Sequence, residues 1–294
     1  MTESDFEAVR NARACDPDAI ARALAGRKRR PLLVGDKRLF ILAADHPARG
    51  SLGVREDDMA MADRYDLLER LAAALQNPLV DGFLGTADLV EDLALMGSLE
   101  NKIVVGSMNR GGLKSAVFEM DDRFTAYDLD TIRSYNLDFA KLLVRINLDD
   151  AGSVHTLHTA AEIVTRAAEA HLPIMIEPFM SEWVDGSIRN DLTADAVIKS
   201  IAIASALGAS SAYSWLKLPV VPDMERVMKA TTLPTLLLGG DPLMQSHEIY
   251  ESWENALSLP GVHGLVVGRT LLYPPDGDVM GAVERAAQLV HHAR

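Results

Sequence analysis

Cysteine is almost missing from this chain: Cys15 is the only one in 294 residues. A single thiol forms no disulfide within the chain, which fits the reducing cytoplasm expected for this protein. Basic charge is also scarce. There are 29 Lys and Arg against 42 Asp and Glu, a net charge of −13. Such a chain repels the phosphates of nucleic acids and the surface of an anionic membrane, so neither is an expected partner. No apolar run is long enough to span a bilayer. The opening residues, MTESDFEAVR, lack the apolar core of a secretory signal. A Gly-rich dinucleotide turn is missing too: the first predicted strand ends in AADHPARG.

What is present is an alternation. With 48% hydrophobic residues, the chain can build one large core. Residues 5–26 carry helical spacing, broken at Asp16-Pro17. The basic run RKRRP at 27–31 reads as a solvated linker. From residue 38 onward, short apolar strands alternate with helices. Strands are expected at 38–44, 80–85, 102–107, 139–146, 172–178, 213–218, 234–239 and 262–268. Helices are expected at 57–76, 86–96, 128–136, 153–170, 192–207, 222–230, 244–257 and 277–292, with long loops at 108–125 and 178–190. Strands that are apolar on both faces are those of a parallel sheet covered by helices. Eight strand–helix units predict an α/β fold, a (β/α)8 TIM barrel over 38–294, preceded by an N-terminal helical extension over 1–37.

The stretch YSWLKLP, 213–219, holds the most informative residue. Lys217 sits near the end of an apolar strand, where a desolvated ammonium without a partner is costly. Either it turns out to solvent, or it is an amine of lowered pKa used as a nucleophile toward a carbonyl. The other strand ends favour the second reading. They deliver Asp45 and His46, then Ser107, Asn109 and Arg110, then Lys141 and Arg145, then Glu177. Alternation places Lys141 and Arg145 on one face of their strand, and Trp215 and Lys217 on one face of theirs. If the apolar neighbours pack under helices, these charges converge inside the barrel. Lys141 would then lower the pKa of Lys217 or hold a substrate anion. Gly239-Gly240 and Gly268-Arg269 end the last two strands, where barrels commonly bind phosphate. His46 with Asp45 and Glu177 offers a metal-site alternative, but no second in-barrel histidine accompanies it, and no metal or cofactor is expected. His155 and His158 read as surface residues, and His291-His292 as tail.

This ordered set resembles the class I, Schiff-base-forming aldolases of (β/α)8 fold, from about residue 38 onward. It is most similar to the tagatose-bisphosphate and sulfofructose-phosphate aldolase branch. The motifs that carry the likeness are AADHPARGSLG, AKLLVRI, MIEPF, YSWLKLP, LLLGGDP and VVGRTLL. More closely still, the chain resembles a bacterial deoxyribose-phosphate-aldolase-like barrel family associated with myo-inositol catabolism. The resemblance implies a lyase with Lys217 as the Schiff-base residue and Glu177 as proton shuttle. Lys141 would tune Lys217 or touch substrate, and Asp45 would orient the lysine or a hydroxyl. Gly239, Gly240, Gly268 and Arg269 would hold phosphate. Arg145, Arg110 and Arg189 are candidates for a second anionic group, with His46 and Ser107 beside the substrate. The implied partner is a phosphorylated sugar, and a homo-oligomer is expected. The implied substrate is 6-phospho-5-dehydro-2-deoxy-D-gluconate, split into dihydroxyacetone phosphate and malonate semialdehyde. Deoxyribose phosphate, tagatose or fructose bisphosphate and sulfosugar phosphates are the alternatives, as is a sugar-phosphate-binding barrel without turnover.

Overall fold

The computed structural model describes residues 2–110, 112–239 and 246–292. Eight parallel strands close into a barrel: β1 (Leu39–Ala43), β2 (Gly82–Gly85), β3 (Ile103–Ser107), β4 (Phe139–Ile146), β5 (Ile174–Val184), then β7 (Ser214–Leu218), β8 (Thr235–Leu238) and β9 (Val262–Val267). The remaining strand, β6 (Ser187–Asn190), stands outside the ring as the return arm of a hairpin from β5. The ring closes where β9 pairs with β1 in parallel, Leu39 opposite Gly264. The fold is therefore a (β/α)8 TIM barrel.

Alternation sorts each strand into two faces. Leu39, Ile41, Ala43, Val105, Phe139, Met175 and Trp215 fill the barrel interior. Their neighbours Phe40, Leu42, Leu142, Val144, Ile176 and Leu216 pack outward into the larger core. That core lies under α3 (Arg64–Leu75), α4 (Ala87–Leu95), α5 (Leu129–Ser134), α6 (Gly152–Glu169), α7 (Ala194–Ser205), α8 (Met224–Met228), α9 (Ser246–Leu257) and α11 (Val279–His292). A short helix after β9, α10 (Arg269–Leu272), was not expected from the sequence. Among the described residues, no helix is long and apolar enough to cross a membrane.

Three expectations are corrected. The segment 178–190 is no open loop: β5 continues to Val184 and turns back through Asp185-Gly186, both with positive φ, into β6. Asp-Gly between strand-forming residues is the turn that a two-residue hairpin requires. Nor is RKRRP a solvated linker. Beyond α1 (Glu3–Cys15) and α2 (Asp18–Gly26), this run clasps the N-terminal end of the barrel. Buried Arg27 pairs with Asp138 at 2.7 Å, Arg29 with Asp138 at 2.8 Å, and Arg30 with Asp81. Each aspartate also accepts a strand N–H: Asp81 from Phe40 at 2.7 Å and Asp138 from Val104 at 2.9 Å. Leu32 and Leu33 then pack against the inner core from below.

His291 belongs to the same clasp and is not idle tail. Its Nδ1 lies 2.8 Å from Asp36, and its Nε2 lies 3.2 Å from Asp81. The hydrogen bond to Asp81 outweighs burial and raises its pKa to about 9. A raised folded-state pKa stabilises fully below the unfolded value, about 6.5, and the gain is lost as pH rises through about 9. Unfolding by urea should therefore show a loss on the order of 1 kcal/mol between pH 6 and pH 9.5, after allowance for screening. His291→Gln should flatten that slope; an unchanged slope would assign it elsewhere.

Candidate active site

The C-terminal ends of the strands bring four charged side chains together. Lys141 on β4 sits between two carboxylates, 2.8 Å from Asp45 Oδ2 and 2.7 Å from Glu177 Oε2. Lys217 on β7 donates to the other oxygen of Glu177 at 3.0 Å. Ser107, the last residue of β3, donates to Asp45 Oδ2 at 3.3 Å. The side chains of both lysines are almost completely buried. The registers that align Lys141 with Met175, and Met175 with Trp215, set Glu177 and Lys217 above the inner apolar layer.

Burial and charge oppose each other here, and charge prevails. Burial alone would raise Asp45, but Lys141 chief among its cationic neighbours holds it well below the usual carboxylate range. Burial would likewise raise Glu177, but Lys141 and Lys217 bring it down to about 2. Lys141 would lose its proton on burial, yet Asp45 and Glu177 raise its pKa above the ordinary value. Lys141 is thus held as a cation between two anions. Lys217 shares one of those anions and faces the cleft. His46 shows the reverse balance: burial first, then Arg269, push it down to about 3.

These groups line two connected hollows. A small one of about 70 Å³ is bounded by Ala43, Gly239, Gly268, Arg269 and Thr270. A larger one of about 370 Å³ is bounded by Arg49, Lys114, Arg145, Glu119, Phe179, Ile188 and Asn190. His46, Glu177, Lys217 and Arg269 border both. Around the larger hollow, six Lys and Arg residues face three carboxylates, an excess of positive charge in a chain of net charge −13. Such a pocket draws anions against the overall field.

Other predicted site residues are placed differently. Arg145 points inward but pairs with Glu119, through Oε1 and the backbone carbonyl, each at 2.7 Å. Arg110 donates to Ala48 O at 3.1 Å and does not border the cleft. Arg189 is exposed on β6. Gly240 lies outside the described residues. Gly268 has a packing reason of its own: a Cβ there would lie 2.0 Å from the carbonyl oxygen of Ala43. Among the described residues, no group of three or more His, Cys, Asp or Glu is arranged to hold a metal ion.

The long loop expected at 108–125, between β3 and α5, is held by residues that the sequence did not mark. Glu119 holds Arg145 and also accepts from Ser115 N at 2.8 Å; Asp122 holds Arg49 at 2.7 Å. These contacts fold the loop over the rim and bring Lys114 to the cleft. No motif marks them, because their partners lie on distant strands and turns.

The Cgl0159-like family profile matches residues 37–287. The chain belongs to the Cgl0159-like family. Cgl0159 from Corynebacterium glutamicum has a crystal structure that is 58% identical, with a TM-score of 0.97, covering 99% of this chain and 98% of that one. This Cgl0159-like barrel is also similar to a Schiff-base-forming fructose-1,6-bisphosphate aldolase, at 18% identity and a TM-score of 0.64, covering 92% of this chain and 99% of that one. An archaeal fructose 1,6-bisphosphate aldolase is similar at 17% identity and a TM-score of 0.65, covering 93% and 99%. At those identities the likeness establishes the fold alone. No curated protein sequence matches the chain.

Proposed function

We propose that this Cgl0159-like protein is a class I aldolase that cleaves a phosphorylated keto sugar through a Schiff base on Lys217. The observation that carries the reading is the unequal pairing of two buried lysines. Lys141 is locked between Asp45 and Glu177, whereas Lys217 has one shared carboxylate and opens onto the cleft. As the free amine, Lys217 attacks the ketone carbonyl. Glu177, in contact with that amine at 3.0 Å, takes the proton that Lys217 sheds to become the free amine and returns it to the carbinolamine hydroxyl as water leaves. The resulting iminium accepts the electron pair of the breaking carbon–carbon bond. The aldehyde departs, the enamine is protonated, and water releases the ketone phosphate.

The finer reading is 6-phospho-5-dehydro-2-deoxy-D-gluconate as substrate, giving dihydroxyacetone phosphate and malonate semialdehyde. Its support is a cleft with a cationic side chain toward each end. Arg269 borders the small hollow with Gly239 and Gly268, suited to phosphate; Lys114 borders only the large one, suited to a carboxylate. Among the described residues the Lys114 ammonium has no carboxylate partner. Lys114→Met should therefore raise KM for the carboxylated substrate about 5–10-fold with kcat little changed, the loss of roughly 1 kcal/mol of uniform binding. An unchanged KM would move the carboxylate elsewhere.

The test is a coupled assay for triose phosphate from this substrate in the presence of EDTA. Lys141 already bridges Asp45 and Glu177, so chelation should leave turnover intact. Loss of turnover with EDTA would favour a metal site built on Asp45, His46 and Glu177. Release of triose phosphate only from deoxyribose phosphate, a ketose bisphosphate or a sulfosugar would keep the chemistry and change the substrate.

A further inference from the structure

We infer that His46 is the base that takes the β-hydroxyl proton at carbon–carbon cleavage and returns it to the enamine carbon. This role rests on the Schiff-base reading and leaves Glu177 the proton transfer at the carbinolamine alone. Glu177 has both oxygens engaged, Oε1 by Lys217 at 3.0 Å and Oε2 by Lys141 at 2.7 Å. Asp45 Oδ2 is likewise engaged, by Lys141 at 2.8 Å and Ser107 at 3.3 Å. The ammonium donors favour the ionised form of both carboxylates and occupy the oxygens named, so neither is well placed to accept a hydroxyl proton.

His46 is different. Its Nδ1 is buried and makes no hydrogen bond; the nearest carboxylate oxygen, Asp45 Oδ1, is 3.8 Å away. An anion on that side favours the tautomer with the proton on Nδ1, which leaves the lone pair on Nε2. The side chain is 31% exposed and borders both hollows, as Lys217 does. Its backbone is fixed by a tight turn: His46 O accepts from Arg49 N at 3.0 Å and from Ser51 N at 3.3 Å. The charged groups that face the ring are Asp45, Glu177, Lys217 and Arg269. Burial first and Arg269 second hold the ring's basicity down; a phosphate seated on Arg269 would offset the second of these, so the ring becomes more basic as substrate binds.

The step balances. Nε2 takes the hydroxyl proton, and the O–H electron pair becomes the second bond of the new aldehyde. The bond between the α- and β-carbons breaks, and its pair moves into the iminium to give the enamine on Lys217. The imidazolium then protonates the enamine carbon, and His46 returns to its neutral form.

Dihydroxyacetone phosphate alone suffices as the probe. Two readouts are compared in the wild-type chain, His46→Gln and His46→Asn: the borohydride-trapped adduct on Lys217, and exchange of the α-hydrogen of the probe in D2O followed by NMR. The expected result is normal trapping in all three chains, with exchange slowed about 100-fold or more in both variants, the usual scale for a lost general base. Wild-type exchange rates in the variants would overturn the assignment. So would loss of the trapped adduct in both variants, since His46 would then act before the imine forms. No adduct on the wild-type chain would remove the Schiff-base reading itself, and this role with it.

Discussion

Lys217→Met is expected to abolish turnover, by roughly 10⁴-fold or more, while leaving a folded barrel. The activity loss follows from chemistry: a thioether forms no imine, and among the described residues no other lysine borders both hollows. The modest stability cost follows from the pairing. Glu177 loses its 3.0 Å contact with Lys217 but keeps Lys141 at 2.7 Å, so no buried carboxylate is left alone. Methionine fills a similar volume, and the net change should be about 1 kcal/mol. Steady-state kinetics and thermal melts check both halves. Retained turnover would remove Lys217 from the chemistry, and a large fall in Tm would make it a structural ion-pair partner.

Lys141→Met should behave in the opposite way, with stability the first casualty. Lys141 is the cation shared by Asp45 and Glu177, and its own pKa is raised by them against the cost of burial. Without it Asp45 keeps the 3.3 Å hydroxyl of Ser107, a histidine ring 3.8 Å away and the more distant field of Lys217, with no ammonium in direct contact. Removing one partner of a buried ion pair costs about 3–5 kcal/mol. In a chain of this size that corresponds to a fall in Tm on the order of 10 °C. Activity should fall too, because Asp45 and Glu177 would become protonated more easily and Glu177 would turn toward Lys217. A variant with wild-type Tm and lost turnover would place Lys141 at the substrate instead.

The fold was legible because each strand is a short apolar run bounded by polar or glycine residues. The two-residue repeat carries the same information to the site: Leu142 and Val144 outward put Lys141 inward, and Leu216 outward puts Lys217 inward. The basic run at 27–31 was misread because its partners, Asp81 and Asp138, sit more than 50 and 100 residues away in front of β2 and β4. Arg145 illustrates the same limit. Its inward face follows from strand alternation, but Glu119, which neutralises it, lies on a loop with no periodic pattern. The hairpin of β5 and β6 was within reach, since Asp185-Gly186 separates Trp183 and Val184 from Ile188.

The central claim is covalent chemistry at Lys217, and the direct measurement is reductive trapping. The protein is incubated with dihydroxyacetone phosphate, reduced with borohydride, digested and mapped by peptide mass spectrometry. The account requires one adduct, on Lys217, absent from Lys217→Met. An adduct on Lys141 would exchange the roles of the two lysines. No adduct, with binding of dihydroxyacetone phosphate intact, would contradict the account for this donor.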